Sequence, residues 1–175
     1  ILKNYKEASP IITYFANTIA SGQNSTPYSM IAAADPEHCT FLPGNLTDDE
    51  VVINQWLADD LDIRSGSTLT VHYFDPNNYR QLTESTKTFT VKSVLPMDTA
   101  GMDNTWLPDF PGIAEAENSH DWEAGPAINL SRIRQIDEDY WDDFRGTPKA
   151  FVNLNMGTEL WQNTWGTYTA LRFPP

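Results

Sequence analysis

The stretch DEDYWDDFRGTPKAF, Asp137 to Phe151, gathers five carboxylates, an arginine, a lysine and several aromatics into fifteen residues. Asp137, Glu138, Asp139, Asp142 and Asp143 are hard oxygen donors of the kind that hold Ca²⁺. A calcium loop of the EF-hand type, however, needs alternating ligands, a central glycine and a terminal glutamate. These acids instead fall on a predicted helix and point around its axis. Asp139 and Asp143 stand at i, i+4, and Asp142 and Arg145 at i, i+3, where they can pair. The spacing therefore reads as a solvated acidic helix face with one or two ion pairs, and no metal or cofactor is assigned to it. Arg145 and Lys149 flank Gly146-Thr147-Pro148, and the expectation is that one or both bond acids of the preceding helix or nearby carbonyls and fix the turn. Capture of an anionic ligand is the rival reading.

Other chemistries find less support. Glycoside hydrolysis needs two acids at a defined separation across a cleft, and 24 scattered acids define no such pair. His38, His72 and His120 share no metal-ligand spacing. Cys39 is the single cysteine, so neither an internal disulfide nor a cysteine zinc site is available. Its neighbour His38 diverges from it in extended chain, and a Cys–His nucleophile pair would need a base oriented in space, which spacing does not supply. The sequence carries no GxSxG, P-loop or GxGxxG motif. No catalytic residue is assigned.

The elements that would position these groups follow from pattern. IITYFANTIA (Ile11–Ala20) and PYSMIAAA (Pro27–Ala34) are β-leaning runs around the turn-rich SGQNST, and predict a hairpin. Val51 to Ile53 predicts a short buried strand. Asn54 caps a two-turn helix over Gln55–Leu61, with Trp56, Leu57 and Leu61 facing the core. Gly66 turns the chain. Thr68–Phe74 alternates with Leu69, Val71 and Tyr73 on one face, DPNN (Asp75–Asn78) is turn chemistry, and Thr86–Leu95 alternates with Phe89 and Val91 together. Asp98–Gly125 predicts an ordered irregular excursion that buries Trp106, Leu107, Phe110 and Trp122. Ile133, Ile136, Tyr140, Trp141 and Phe144 form a helical stripe, capped by Asn129 or Ser131 and stopped by Gly146 and Pro148. Ala150–Leu154 and Thr167–Phe173 predict two more strands. The fold class expected is α+β: about six short strands, mostly antiparallel, with two or three helices.

The 175 residues suit one domain or one lobe of a larger one, and six Trp, seven Tyr and eight Phe supply a core. A net charge of −13 repels phosphate backbones and anionic headgroups, which argues against nucleic acid. No apolar run approaches the roughly 18 residues of a membrane span. The start at Ile1 and the closing Pro174-Pro175 read as boundaries of a piece cut from a longer chain.

At DDEVVINQWLADDLDIRSGSTLTVHYF and TFTVKSVLPM, between Asp48 and Met97, the chain resembles the extracytoplasmic domain of FtsX-like, or MacB-type, ABC transporter permeases. The matching features are the strand Val51–Asn54, Ala58 with Leu61, Gly66 before Thr68–Val71, and Phe89-Thr90-Val91. Ser93 departs from the glycine usual in that pattern. LPDFPGI (107–113), DEDYWDDFRGTPKAFV (137–152), LWQNTWG (160–166), TALR (169–172), YFANTI (14–19) and PYSMIAA (27–33) resemble a subgroup of large permeases. The resemblance implies a fold like the MacB-type core domain and a single extracytoplasmic lobe over 1–175, with possible sub-lobes 1–97 and 98–175. Its place would be the periplasmic or extracellular face of a bacterial cytoplasmic membrane. Flanking transmembrane helices, a separate cytoplasmic ATPase subunit and other envelope proteins would be its partners. It also implies no catalytic residues and no cofactor in the lobe itself. In this light Asp137, Tyr140, Trp141, Arg145 and Lys149 form a structural corner and partner surface. Two rival readings are a secreted carbohydrate-binding or glycan-acting domain, motivated by the tryptophans, tyrosines and acids, and a stand-alone enzyme using acidic residues as ligands.

Overall fold

The computed structural model describes residues 8–76, 83–108, 112 and 128–173. Among the described residues, seven strands and three α-helices follow one another: β1 (Ser9–Ser21), β2 (Asn24–Ala34), β3 (Glu50–Asn54), α1 (Gln55–Leu61), β4 (Thr68–Phe74), β5 (Glu84–Leu95), α2 (Gln135–Phe144), β6 (Ala150–Asn153), α3 (Leu154–Trp161) and β7 (Ala170–Arg172). The strands lie in the order β2-β6-β3-β5-β4-β1, and β1 pairs back onto β2, so six strands close a barrel. β7 adds to β1 outside the ring.

This corrects the expected mostly antiparallel α+β sheet. β2–β6 and β3–β5 are parallel, the remaining pairings antiparallel, and the barrel has no open edge between its first and last strands. The predicted β1–β2 hairpin forms, but alternation along a strand reports which face is buried and not which distant strand lies alongside, so it gave neither the parallel pairings nor the closure. Closure depends on the length of β1. Its thirteen residues pair with β2 along one edge, while the other edge meets β7 at Ser9–Ile11 and β4 from Ala16 onward. The register slips between Ala16 and Thr18, and such a bulge bends and twists a strand as a small barrel requires.

Local chemistry explains most elements. The β1–β2 strands run through most of SGQNST, leaving Gly22-Gln23 as the turn, and Gly22 takes a left-handed φ of 58° that suits glycine. Asn54 caps α1, its Oδ1 accepting from Leu57 N at 2.9 Å. Leu57 and Leu61 are buried and Trp56 half-buried. β4 spans the predicted residues with Leu69, Val71 and Tyr73 buried, and β5 buries Phe89 and Val91 together.

Several expectations need amendment. Asn129 caps a short 3₁₀ turn at Leu130–Arg132, while α2 begins after Arg134. Ile136 points outward at 42 % exposure, leaving Tyr140 and Trp141 as the buried residues of the predicted stripe. The last predicted strand shrinks to Ala170–Arg172, and α3 occupies a segment from which no helix was predicted. Trp106 is buried as expected, whereas Phe110, Trp122, His120, Asn77 and Asn78 lie outside the described residues.

The barrel interior is filled with apolar side chains from all six strands, among them Ile12, Ile31, Ile53, Val71, Phe89 and Val152, and α1 and α3 add Leu57, Leu61, Met156 and Trp161. It is a packed core, not a channel. The outer face of β2, β6 and β3 is covered too: Ala32, Ala34, Phe151 and Val52 pack against Leu42, Leu46, Met102 and Trp106. Burial on both faces explains why these strands read as continuous apolar runs, the usual mark of parallel pairing. α3 approaches so closely that a Cβ on Gly157 would stand 2.2 Å from Ala33 Cβ.

Candidate functional site

Lys149 immediately precedes β6 and is locked between two strands by its own backbone. Its N–H donates to Met30 O at 2.9 Å and its carbonyl accepts from Asn54 N at 3.0 Å. The side chain is 4 % exposed, an unusual position for a lysine. Nζ lies 3.8 Å from the centre of the Trp56 ring and 4.5 Å from that of Tyr140. The two rings themselves are 4.9 Å apart, tilted across the meeting point of α1 and α2. Asp137 Oδ1 stands 3.9 Å from Nζ.

Behind Asp137 is an ion-pair network. Arg134 grips Asp137 through Nε (2.8 Å) and Nη2 (2.7 Å), and Asp60 of α1 through Nη1 (3.0 Å) and Nη2 (2.7 Å). Thr26 Oγ1 also donates to Asp60. The two carboxylate side chains are only 7 % and 8 % exposed. Asp137 additionally accepts from Arg134 N at 2.9 Å, closing the first turn of α2. One arginine thus ties α2 to α1, and paired geometry of this kind makes guanidinium–carboxylate contacts strong. Hydrogen bonds to Asp137, and secondarily to Asp60, hold the Arg134 guanidinium in its charged form against the opposing effect of burial.

Electrostatics set the state of the lysine. Burial pulls its pKa down to about 7; Asp137 and Asp60 pull upward, and Arg134 adds to the depression. The faces of Trp56 and Tyr140 favour the ammonium form as well. The Tyr140 hydroxyl accepts from Asn54 Nδ2 at 3.0 Å and donates to Thr147 O at 2.9 Å. Burial raises its pKa, with the Asn54 bond opposing, so it stays a neutral hydrogen-bonding bridge between α1's cap and the corner after α2.

Asp137, Tyr140, Trp141, Arg145 and Lys149 all line one cavity, together with residues of β1 and β2. The sequence motif therefore closes on itself in space. Lys149 faces Asp137 of the preceding helix, as expected, and Arg134, which the sequence did not single out, is a further anchor of the acidic helix. Gly146 sits at the corner because a Cβ there would meet the Leu107 side chain at 2.4 Å. The sequence reading missed Arg134, Asp60, Asn54 as a partner of Tyr140, and Trp56 as a wall of the lysine site. The spacing of Arg134 and Asp137 carried a usable signal, since a carboxylate three residues into a helix commonly bonds back to the residue before it.

A lysine titrating near neutrality is the form used for Schiff bases and proton transfer. The cavity beside it, though, measures about 30 Å³. That is room for one or two waters, far below the roughly 300 Å³ at which small-molecule pockets begin. In this arrangement the amine is a pin enclosed in a helix–helix–strand joint. Elsewhere, Cys39 is buried and pushed up to about 11, while the exposed His38 ring is turned to Asp35 at 3.3 Å, so the two do not form an activated pair. Among the described residues no three His, Cys, Asp or Glu side chains converge as a metal site. No helix among them is long and apolar enough to cross a membrane. Compared with known proteins, the chain matches no family model and no curated protein.

Proposed function

We propose that this chain is a non-catalytic extracytoplasmic domain of an ABC transporter permease. In this reading it couples ATP-driven movement of flanking transmembrane helices to substrate or partner handling outside the membrane. The observation that carries the reading is the pairing of Ser9 with Arg172. The described chain comes in on β1 and goes out on β7 at one point of one ladder, an arrangement that suits insertion between two neighbouring membrane segments. The segment that carries the resemblance runs as a strand, the Asn54-capped helix, a turn at Gly66 with φ 88° and two further strands. The Arg134–Asp60 pair ties α1 to α2, which suits a part that transmits displacement.

Expression in the parent reading frame tests this. The domain should fractionate with membranes, be cut by protease added outside the cytoplasmic membrane, and co-purify with an ATPase. Deleting 8–173 should leave ATP hydrolysis and abolish transport. Recovery in the soluble fraction without an ATPase would sink the reading.

One observation favours the alternative, a secreted carbohydrate-binding or glycan-acting domain. Trp165 is 87 % exposed and the nearby Tyr168 is exposed too, and a bare aromatic face can stack on a sugar ring. Retardation in polysaccharide-containing gels, lost in Trp165→Ala, would support it; unretarded migration through all polysaccharides would remove it.

A further inference from the structure

A second and much larger cavity, about 440 Å³, opens beside the β1–β7 ladder. Met30 lines the small lysine cavity and Ala34 lines this one. They are four residues apart on β2, or roughly 13 Å at the rise of a strand. The larger cavity falls within the range of small-ligand sites. Ile11, Ala34, Phe41, Trp106 and Phe173 give it apolar walls. Trp106 is fixed: its Nε1 donates to Gly101 O at 2.7 Å and its ring meets Phe151 edge to face. Phe173, also in the lining, is 58 % exposed.

The positive charge in its lining is Arg172, beside the acids Asp35 and Glu37. Its guanidinium carbon lies 4.3 Å from the centre of the Trp106 ring, and Nη1 donates to Thr105 Oγ1 at 2.9 Å. Stacking and this bond fix the plane of the fork. Among the described residues no carboxylate pairs with it, although the chain carries 24 acids against 11 lysines and arginines. The acids of the lining do not fill that role. Asp35 is engaged, Oδ1 with Glu37 N at 2.9 Å and Oδ2 with His38 Nδ1 at 3.3 Å. Glu37 is exposed, where solvent and salt weaken its field. The buried Cys39 thiol stays protonated and adds no negative charge. A planar, oriented guanidinium at an apolar cavity, with donors left over, matches a carboxylate attached to an apolar body.

We propose that this cavity binds a small organic monocarboxylate with an alkyl or aryl body, its carboxylate on Arg172 and its body against Phe41, Trp106 and Phe173. The proposal stands independently of the transporter reading.

Isothermal titration of the folded chain with decanoate and with 4-phenylbutyrate, against decanol and decyltrimethylammonium, tests it. Both carboxylates should bind saturably with one site and shift the Trp106 indole N–H resonance. The alcohol and the cation should bind at least about tenfold more weakly, the loss expected for one charge-assisted contact. Arg172→Gln should lose about tenfold or more for the carboxylates only, and Arg172→Lys should recover part of it. Ala100→Trp, in the exposed part of the lining, should block all probes. Absence of saturable binding to the native chain, equal affinity for decanoate and decyltrimethylammonium, or an Arg172→Gln variant that binds like the native chain would each overturn the proposal. The comparison of probes on native protein decides the matter even if Arg172→Gln does not fold.

Discussion

Lys149 Nζ stands 3.8 Å from the centre of the Trp56 ring, joining the start of β6 to α1 across 93 residues of chain. The contact fixes a charge where a lysine is costly, and it makes the stability of the barrel depend on pH. The unfolded chain keeps this proton to about pH 10.4, whereas the folded chain keeps it only to about 7. Folding therefore releases it between those values, and stability rises with pH across that window. At about 1.4 kcal/mol per pKa unit the rise amounts to a few kcal/mol. Urea denaturation at intervals from pH 6 to 10 should show the rise in the native chain. Lys149→Met, which keeps the volume and loses the charge, should flatten it and be the more stable of the two at pH 6.

Removing the anchor of that charge network should be costlier. Arg134→Met leaves Asp60 and Asp137 without their shared partner in positions under one-tenth exposed. Breaking such a pair costs about 3–5 kcal/mol. The same variant removes a positive neighbour from Lys149, so the amine should titrate higher than about 7. The pH dependence of the Lys149 side-chain carbon shifts, followed by NMR, reads this directly. A lysine pKa that stays put would show that the two cations do not sense each other.

The two tryptophans at opposite extremes of burial should part company. Trp141 is 5 % exposed and packs on Met30, whereas Trp165 is 87 % exposed. Trp141→Ala should cost about 3–5 kcal/mol and Trp165→Ala under about 0.5 kcal/mol. Thermal denaturation measures both, and a small effect at Trp141 would mean that α2 is not held by that face.

Gly157 tests the closeness of α3 to the barrel. Alanine is ordinarily the better helix former by about 1 kcal/mol. Here its Cβ would press on Ala33 Cβ, an atom fixed by the strand backbone. Gly157→Ala should therefore destabilise, by about 1–3 kcal/mol for an overpacked core. A gain in melting temperature would show that α3 can slide outward.

What was readable in the sequence was what neighbouring residues decide. Asn54 capping α1, the alternation of Leu69, Val71 and Tyr73, and the turn at Gly66 are all set within a few positions. What was not readable was set by distant contacts. β6 lies between β2 and β3, and nothing in AFVN names either partner. α3 escaped because Gly157 weakens the helical pattern for a reason that lies in β2. The same split governs the site. The motif from Asp137 to Lys149 was visible, but a lysine after so many acids reads as a surface ion pair. Its burial comes from Trp56, and its charge environment from Asp60 and Arg134.

The position of β6 also decides when the barrel can form. β2 and β3 are not paired with each other; the four residues Ala150–Asn153 bridge them. As the chain leaves the ribosome, everything through β5 can assemble as a curved sheet with β2 and β3 as two unpaired borders. The ring cannot shut until residue 153 has emerged. Bringing so late a segment between two early ones is a long-range closure of the kind that slows folding. Until then both borders offer unmatched N–H and C=O groups to any passing strand. A chain ending before Ala150 should therefore be recovered as aggregate, and the short strand Ala150–Asn153 acts as the fold's own protection against misassembly.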